Sequence, residues 1–156
     1  MPASSSPLAS VLGPSHIALE VADLERSLQF YTSVLGLEIF YDERQTATPP
    51  SIKGVVAGFA IELAQIQPPP AANGPTQVKP PAGAPCVAFT VEDAIGAHGR
   101  LRAAGVSVES AVKEVQGVKF FYVYDPDGYP MELIEFPPGA RALADLRRYF
   151  DATPSV

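Results

Sequence analysis

His16, Glu62, Cys86 and Glu132 carry side chains of recognised ligand types for a divalent metal, and they fall in a regular pattern. Cys86 follows His16 by 70 positions, and Glu132 follows Glu62 by the same 70. The pattern is an imidazole and a carboxylate, followed at constant offset by a thiol and a carboxylate. Singly, each has an ordinary alternative. His16 could be a packed strand histidine, the two glutamates could hydrogen-bond in a polar ligand pocket, and Cys86 could be a small buried hydrophobe. The matching positions are what favour a shared cation site.

The offset belongs to a longer repeat. "SHIALEVADLERSLQFYTSVLGLEI" (15–39) lies over "PCVAFTVEDAIGAHGRLRAAGVSVE" (85–109), matching Ala18 to Ala88, Val21 to Val91 and Asp23 to Asp93. A one-residue deletion then brings Gly36 onto Gly105, and "AIELAQIQPP" (60–69) lies over "PMELIEFPPG" (130–139). Each copy reads as a strand, a helix and about three further strands. In the first, His16 to Val21 alternate as a strand, Asp23 is placed to cap a helix, and Leu24, Leu28, Tyr31 and Leu35 follow at helical spacing up to Gly36. Asp93, Ala94, Leu101 and Gly105 repeat this in the second.

Strand parity puts Ile17, Leu19 and Val21 under the helix, and His16, Ala18 and Glu20 on the other face, where a curled sheet could enclose a cleft. The same parity joins Glu132 to Ile134 and Phe136, so Glu20 and Phe136 are expected to line that cleft. Asp125, Asp127 and Gly128 read as turn chemistry without a functional role, His98 as a packed or half-exposed helix residue, and Glu135 as solvated on the opposite sheet face. The aromatics from Phe120 to Tyr124 belong to cleft wall or core, and parity alone does not say which.

The rest of the chain sets the frame. With 156 residues it has the length of one domain, and its 17 prolines cluster: residues 1–13 read as a flexible tail and 67–85 as a linker. Module one is expected over 14–69, module two over 84–138, and a C-terminal helix and tail over 139–156. A net charge of −6 argues against nucleic acid or an anionic membrane surface as partner. One cysteine excludes an internal disulfide, and neither a leader pattern nor a membrane-length apolar run is evident, so a cytoplasmic protein is expected.

The stretches "HIALEVADLERSLQFYTSVLGLEI", "IEL" around Glu62, "VAFTVED" and "DPDGYPMEL" together resemble the vicinal oxygen chelate superfamily over about residues 14–138. That superfamily includes glyoxalase I, epimerases, extradiol dioxygenases and bleomycin- and fosfomycin-resistance proteins. The resemblance implies an α+β fold in which two pseudo-symmetric βαβββ modules form a curled mixed sheet with an open cleft. It implies metal ligands at His16, Glu62, Cys86 and Glu132, although similar metal-binding members usually carry His where this chain has Cys86. A thiolate ligand, or three protein ligands plus water, would both serve.

The resemblance further implies a single divalent ion (Zn, Ni, Co, Mn or Fe) and a small oxygenated substrate, and a homodimer is expected because paired modules leave sheet edges and apolar faces to cover. The expected reaction is isomerase, epimerase or lyase chemistry through a stabilised enolate or oxyanion, with Glu132 as base and Glu62 as second candidate. Glutathione-dependent glyoxalase I is not expected. Enzymes of that branch carry Arg four residues after the first ligand and Asn four after the second, where this chain has Glu20 and Ile66. A non-heme Fe(II) dioxygenase, or a metal-free small-molecule-binding protein of the antibiotic-resistance kind, are the alternatives.

Overall fold

A computed structural model describes residues 14–66 and 85–141. The tail, most of the linker and nearly all of the expected C-terminal helix lie outside the described residues. Ala140 and Arg141, at the start of that expected helix, are not helical.

Module one runs β1 (His16–Val21), α1 (Leu24–Leu35), β2 (Glu38–Asp42), β3 (Ser51–Val56) and β4 (Phe59–Gln65). Module two repeats the order with β5 (Val87–Thr90), α2 (Ala94–Ala103), β6 (Lys113–Val115), β7 (Val118–Tyr124) and β8 (Pro130–Glu135). In each, the first strand pairs in parallel with the last, giving the orders β1-β4-β3-β2 and β5-β8-β7-β6. The chain therefore forms two open four-stranded mixed sheets, with β1 and β5 each at an edge.

Local chemistry explains the boundaries. The Asp23 carboxylate accepts the Arg26 N–H at 3.1 Å to start α1, and Asp93 accepts the Gly96 N–H at 2.8 Å to start α2. Gly36 ends α1 in the left-handed region at φ 71°, a conformation that favours a residue without a Cβ. β3 and β4 join through Ala57 and Gly58, both at positive φ, the geometry of a tight hairpin whose twist matches its strands. β6 and β7 join the same way through Gln116 and Gly117. The longer loops fall at different places in the two modules: 43–50 between β2 and β3, and 104–112 between α2 and β6.

Leu19, Val21, Ile52, Ile61 and Leu63 of module one and Phe121, Val123, Met131 and Leu133 of module two bury into one apolar cluster with Leu24 and Tyr31 of α1. Burying each such side chain stabilises by about 1.5–3 kcal/mol relative to exposure. Parity on β7 is thereby settled. Phe121 and Val123 are core, while Phe120, Tyr122 and Tyr124 occupy the opposite, half-exposed face.

The turn at 125–128 does more than reverse the chain. Asp127 is buried and accepts from Ala22 N–H at 3.0 Å, Ser27 Oγ at 2.8 Å and Arg26 Nη2 at 3.2 Å. Asp125, also buried, accepts from the Tyr31 hydroxyl at 2.9 Å. Module two thus reaches across to grip α1 through two carboxylates. This explains why Ser27, a polar residue, is fully buried on the inner face of that helix. Glu135 is likewise more than a solvated charge: it accepts the Ala94 N–H at 2.9 Å at the start of α2 and pairs with Lys119 at 2.7 Å. No helix among the described residues is long and apolar enough to cross a membrane.

Candidate metal-binding half-sites

Strand register puts the candidate residues on one face of each sheet. Ala18 lies opposite Glu62, Glu62 opposite Lys53, and Lys53 opposite Tyr41, a single row across module one. His16 lies opposite Ala60, two residues before Glu62, so its ring reaches Glu62 along the diagonal. The His16 Nε2 to Glu62 Oε2 distance is 3.5 Å. Ser15 Oγ lies 3.0 Å from His16 Nδ1. In the tautomer whose Nδ1–H donates to Ser15, the Nε2 lone pair is left for a cation.

Module two repeats the row with Ala88 opposite Glu132 and Glu132 opposite Tyr122. Cys86 precedes β5 at the position matching His16, and it is exposed rather than a buried hydrophobe. Burial, then the nearby Glu132 charge, push its thiol up from the ordinary cysteine value. Burial alone pushes the Glu132 carboxyl up. Burial, then Glu132 and Cys86, push the Tyr122 phenol up, so the three groups share one environment.

The half-sites differ in charge. Lys53 Nζ lies 3.2 Å from Glu62 Oε1 and 2.7 Å from Glu43 Oε2, and 5.2 Å from the centre of the Tyr41 ring. The hydrogen bond to Glu43, with a further one to Glu62, keeps its pKa above the ordinary lysine value. Glu132 faces a phenol in the corresponding place. The role of Lys53 was not readable beforehand, because nothing in the sequence gives the β3–β4 register that sets it beside Glu62.

The structure brings the four expected ligands together as two pairs. Among the described residues no three His, Cys, Asp or Glu side chains gather closely enough to hold one ion. The His16–Glu62 pair nevertheless suits half a coordination sphere. Two ligand atoms about 2.1 Å from a cation lie about 3.0–3.4 Å apart at octahedral to tetrahedral angles, and His16 and Glu62 stand at 3.5 Å. Imidazole nitrogen and carboxylate oxygen suit Zn, Ni, Co, Mn and Fe alike.

Glu20 lies opposite Ala64, two residues beyond Glu62 on the same face. Glu20 is exposed on the His16 face of β1, and Phe136 is half-buried just beyond β8. His98 packs edge-on against Phe121, with ring centroids 5.1 Å apart, and its Nε2–H donates to the Glu109 carbonyl at 2.8 Å. It is a structural residue.

Known proteins share this architecture and sequence. Lactoylglutathione lyase of Salmonella typhimurium is 32% identical over 133 residues, covering 83% of this chain and 97% of that protein. The fosfomycin resistance protein FosX of Listeria monocytogenes superposes with a TM-score of 0.66 at 24% identity, covering 90% of this chain and 100% of that one. A further structure of FosX, with a TM-score of 0.64 at 22% identity over 90% of this chain and 99% of that one, contains Mn(II) and sulfate. Residues 13–133 match the Glyoxalase/Bleomycin resistance protein/Dioxygenase superfamily, and with that match the paired βαβββ modules have their explanation: the chain belongs to this superfamily.

Proposed function

We propose that the protein is a metal-dependent isomerase, epimerase or lyase acting on a small oxygenated substrate. Its site would be completed between two copies of the chain. His16 and Glu62 of one copy meet Cys86 and Glu132 of the other, and the edge positions of β1 and β5 leave both pairs open to such pairing. The observation that carries this reading is the repetition of a ligand pair at equivalent register in both sheets, with His16 and Glu62 at coordination spacing.

A divalent ion held there supplies Lewis acidity toward a substrate oxygen and acidifies the adjacent C–H. The protein's own groups do the rest. Glu62, 3.5 Å from the His16 ring, serves to hold the ion. Burial alone pushes the Glu132 carboxyl up, and among the described residues no ammonium or guanidinium pairs with it, so Glu132 serves as the proton acceptor. Phe120, Tyr122 and Tyr124 wall the cleft and limit water around the reacting carbon.

The substrate is proposed not to be a glutathione adduct, despite 32% identity to a lactoylglutathione lyase. Glu20, exposed on the His16 face, would repel a glutathione carboxylate rather than hold it. One observation favours a metal-free binding protein instead: Lys53 already satisfies Glu62. Bound iron with dioxygen uptake would point instead to the dioxygenase alternative.

Elemental analysis of protein purified without added metal decides between the readings. About one divalent ion per complete site is expected, lost in His16→Ala, together with no lactoylglutathione from methylglyoxal and glutathione. Full metal content in His16→Ala would refute the site. Rapid lactoylglutathione formation would refute the substrate assignment.

A further inference from the structure

Lys53 is not used by the mechanism above, yet its ammonium lies within hydrogen-bond distance of an expected metal ligand. Together with Ser15, His16, Phe40, Ala60 and Glu62 it lines a cavity of about 120 Å³. Its Nζ is shared between Glu43 Oε2 at 2.7 Å and Glu62 Oε1 at 3.2 Å. Glu43 N–H donates to the Ser51 carbonyl at 2.9 Å, and Ser51 Oγ donates to Glu43 Oε2 at 3.4 Å, so the shorter contact is anchored at both backbone and side chain. The longer contact is the one that changes when Glu62 binds a cation. A divalent ion on that carboxylate withdraws its charge from Lys53 and repels the ammonium. That would leave the Lys53 ammonium, still paired with Glu43, at the wall of the cavity.

The equivalent place in module two is occupied by Tyr122, opposite Glu132 as Lys53 is opposite Glu62. A site with an ammonium on one side and a phenol on the other suits a ligand that is itself unsymmetrical. We propose that Lys53 is the specificity-determining residue of this site. It selects a substrate with an anionic oxygen group, a carboxylate or a phosphate-type group, beside its chelating oxygens, and Tyr122 meets the neutral hydroxyl or carbonyl end. This inference rests on the metal-site reading, and it adds the charge and the polarity of the substrate.

Two variants separate this role from a structural one. Lys53→Met removes a cation 3.2 Å from Glu62, so it binds Mn2+ more tightly while binding anions more weakly. Glu43→Gln loosens the anchor and leaves more of the ammonium's charge for a ligand, so it strengthens anion binding. The full-length protein is loaded with Mn2+ and titrated calorimetrically with lactate, with inorganic phosphate and with neutral 1,2-propanediol. The expected result is that wild type prefers at least one anion over propanediol by about tenfold or more, the range of a charge-assisted hydrogen bond. That preference is lost in Lys53→Met and retained in Lys53→Arg. A larger loss for lactate assigns a carboxylate, and a larger loss for phosphate assigns a phosphate-type group.

An undiminished anion preference in Lys53→Met, with Mn2+ still bound, overturns the role of Lys53 alone. Absence of Mn2+ binding in wild type overturns the metal site and this inference with it. Unchanged anion affinity in Glu43→Gln, with Lys53→Met equal to wild type for both Mn2+ and anions, reduces Lys53 to a loop tether and likewise refutes the proposal.

Discussion

Replacing Asp127 with alanine removes the group by which module two holds α1, and the structure sets the size of the effect. The carboxylate is 5% exposed and has three donors. Ser27 Oγ at 2.8 Å is fully buried, and the Ala22 N–H at 3.0 Å is partly so. Each buried donor left without a partner costs about 1–3 kcal/mol. The Arg26 contact at 3.2 Å involves a side chain 35% exposed, so it adds at most about 1 kcal/mol after solvent screening. Together these give about 2–7 kcal/mol, a large share of the roughly 5–15 kcal/mol that holds a domain of this size. Urea unfolding followed by circular dichroism should show a midpoint lowered accordingly with an unchanged slope. Asp127→Asn, which keeps one acceptor oxygen, should cost less. In the Ser27→Ala background, removal of Asp127 should cost measurably less than in wild type, because one orphaned donor is already gone. A loss below about 1 kcal/mol for Asp127→Ala would show that the apolar cluster, and not this clamp, fixes the modules together.

Two further outcomes follow from burial of charge. Burial raises the Asp125 pKa in the folded protein, against hydrogen bonds from Tyr129 and Tyr31 that lower it. The native state therefore binds more protons than the unfolded chain just above the ordinary aspartate value, and stability falls as pH rises through that window. Asp125→Asn keeps an acceptor for the Asp127 and Tyr129 N–H groups at 2.9 and 2.7 Å, and melting temperature against pH should lose that descending component. A slope identical to wild type would refute the assignment. The raised thiol of Cys86 predicts slow alkylation by iodoacetamide at neutral pH, accelerating above the ordinary cysteine range. Rapid labelling at pH 7 would mean that a positive charge reaches the thiol.

Much of this protein can be read along the chain, because the interactions responsible span few residues. The alternation of His16 to Val21 and the caps at Asp23 and Asp93 are such features. So are the left-handed Gly36 and the recurrence of the whole unit. The recurrence also placed His16, Glu62, Cys86 and Glu132 at equivalent points, since a duplicated unit repeats its register with its sequence. What the chain's linear order does not contain is relative placement across strands and between modules. A slip of one residue exchanges the faces of a strand, so only the folded sheet shows that Phe121 is core, that Phe120 and Tyr122 are not, and that Lys53 stands beside Glu62. Asp127 reads as an ordinary turn residue until a helix 100 positions earlier is packed against it. His16 with Glu62 and Cys86 with Glu132 share a pattern in sequence, yet each pair belongs to its own sheet. How the two sheets pack is a contact between distant surfaces that no local spacing encodes.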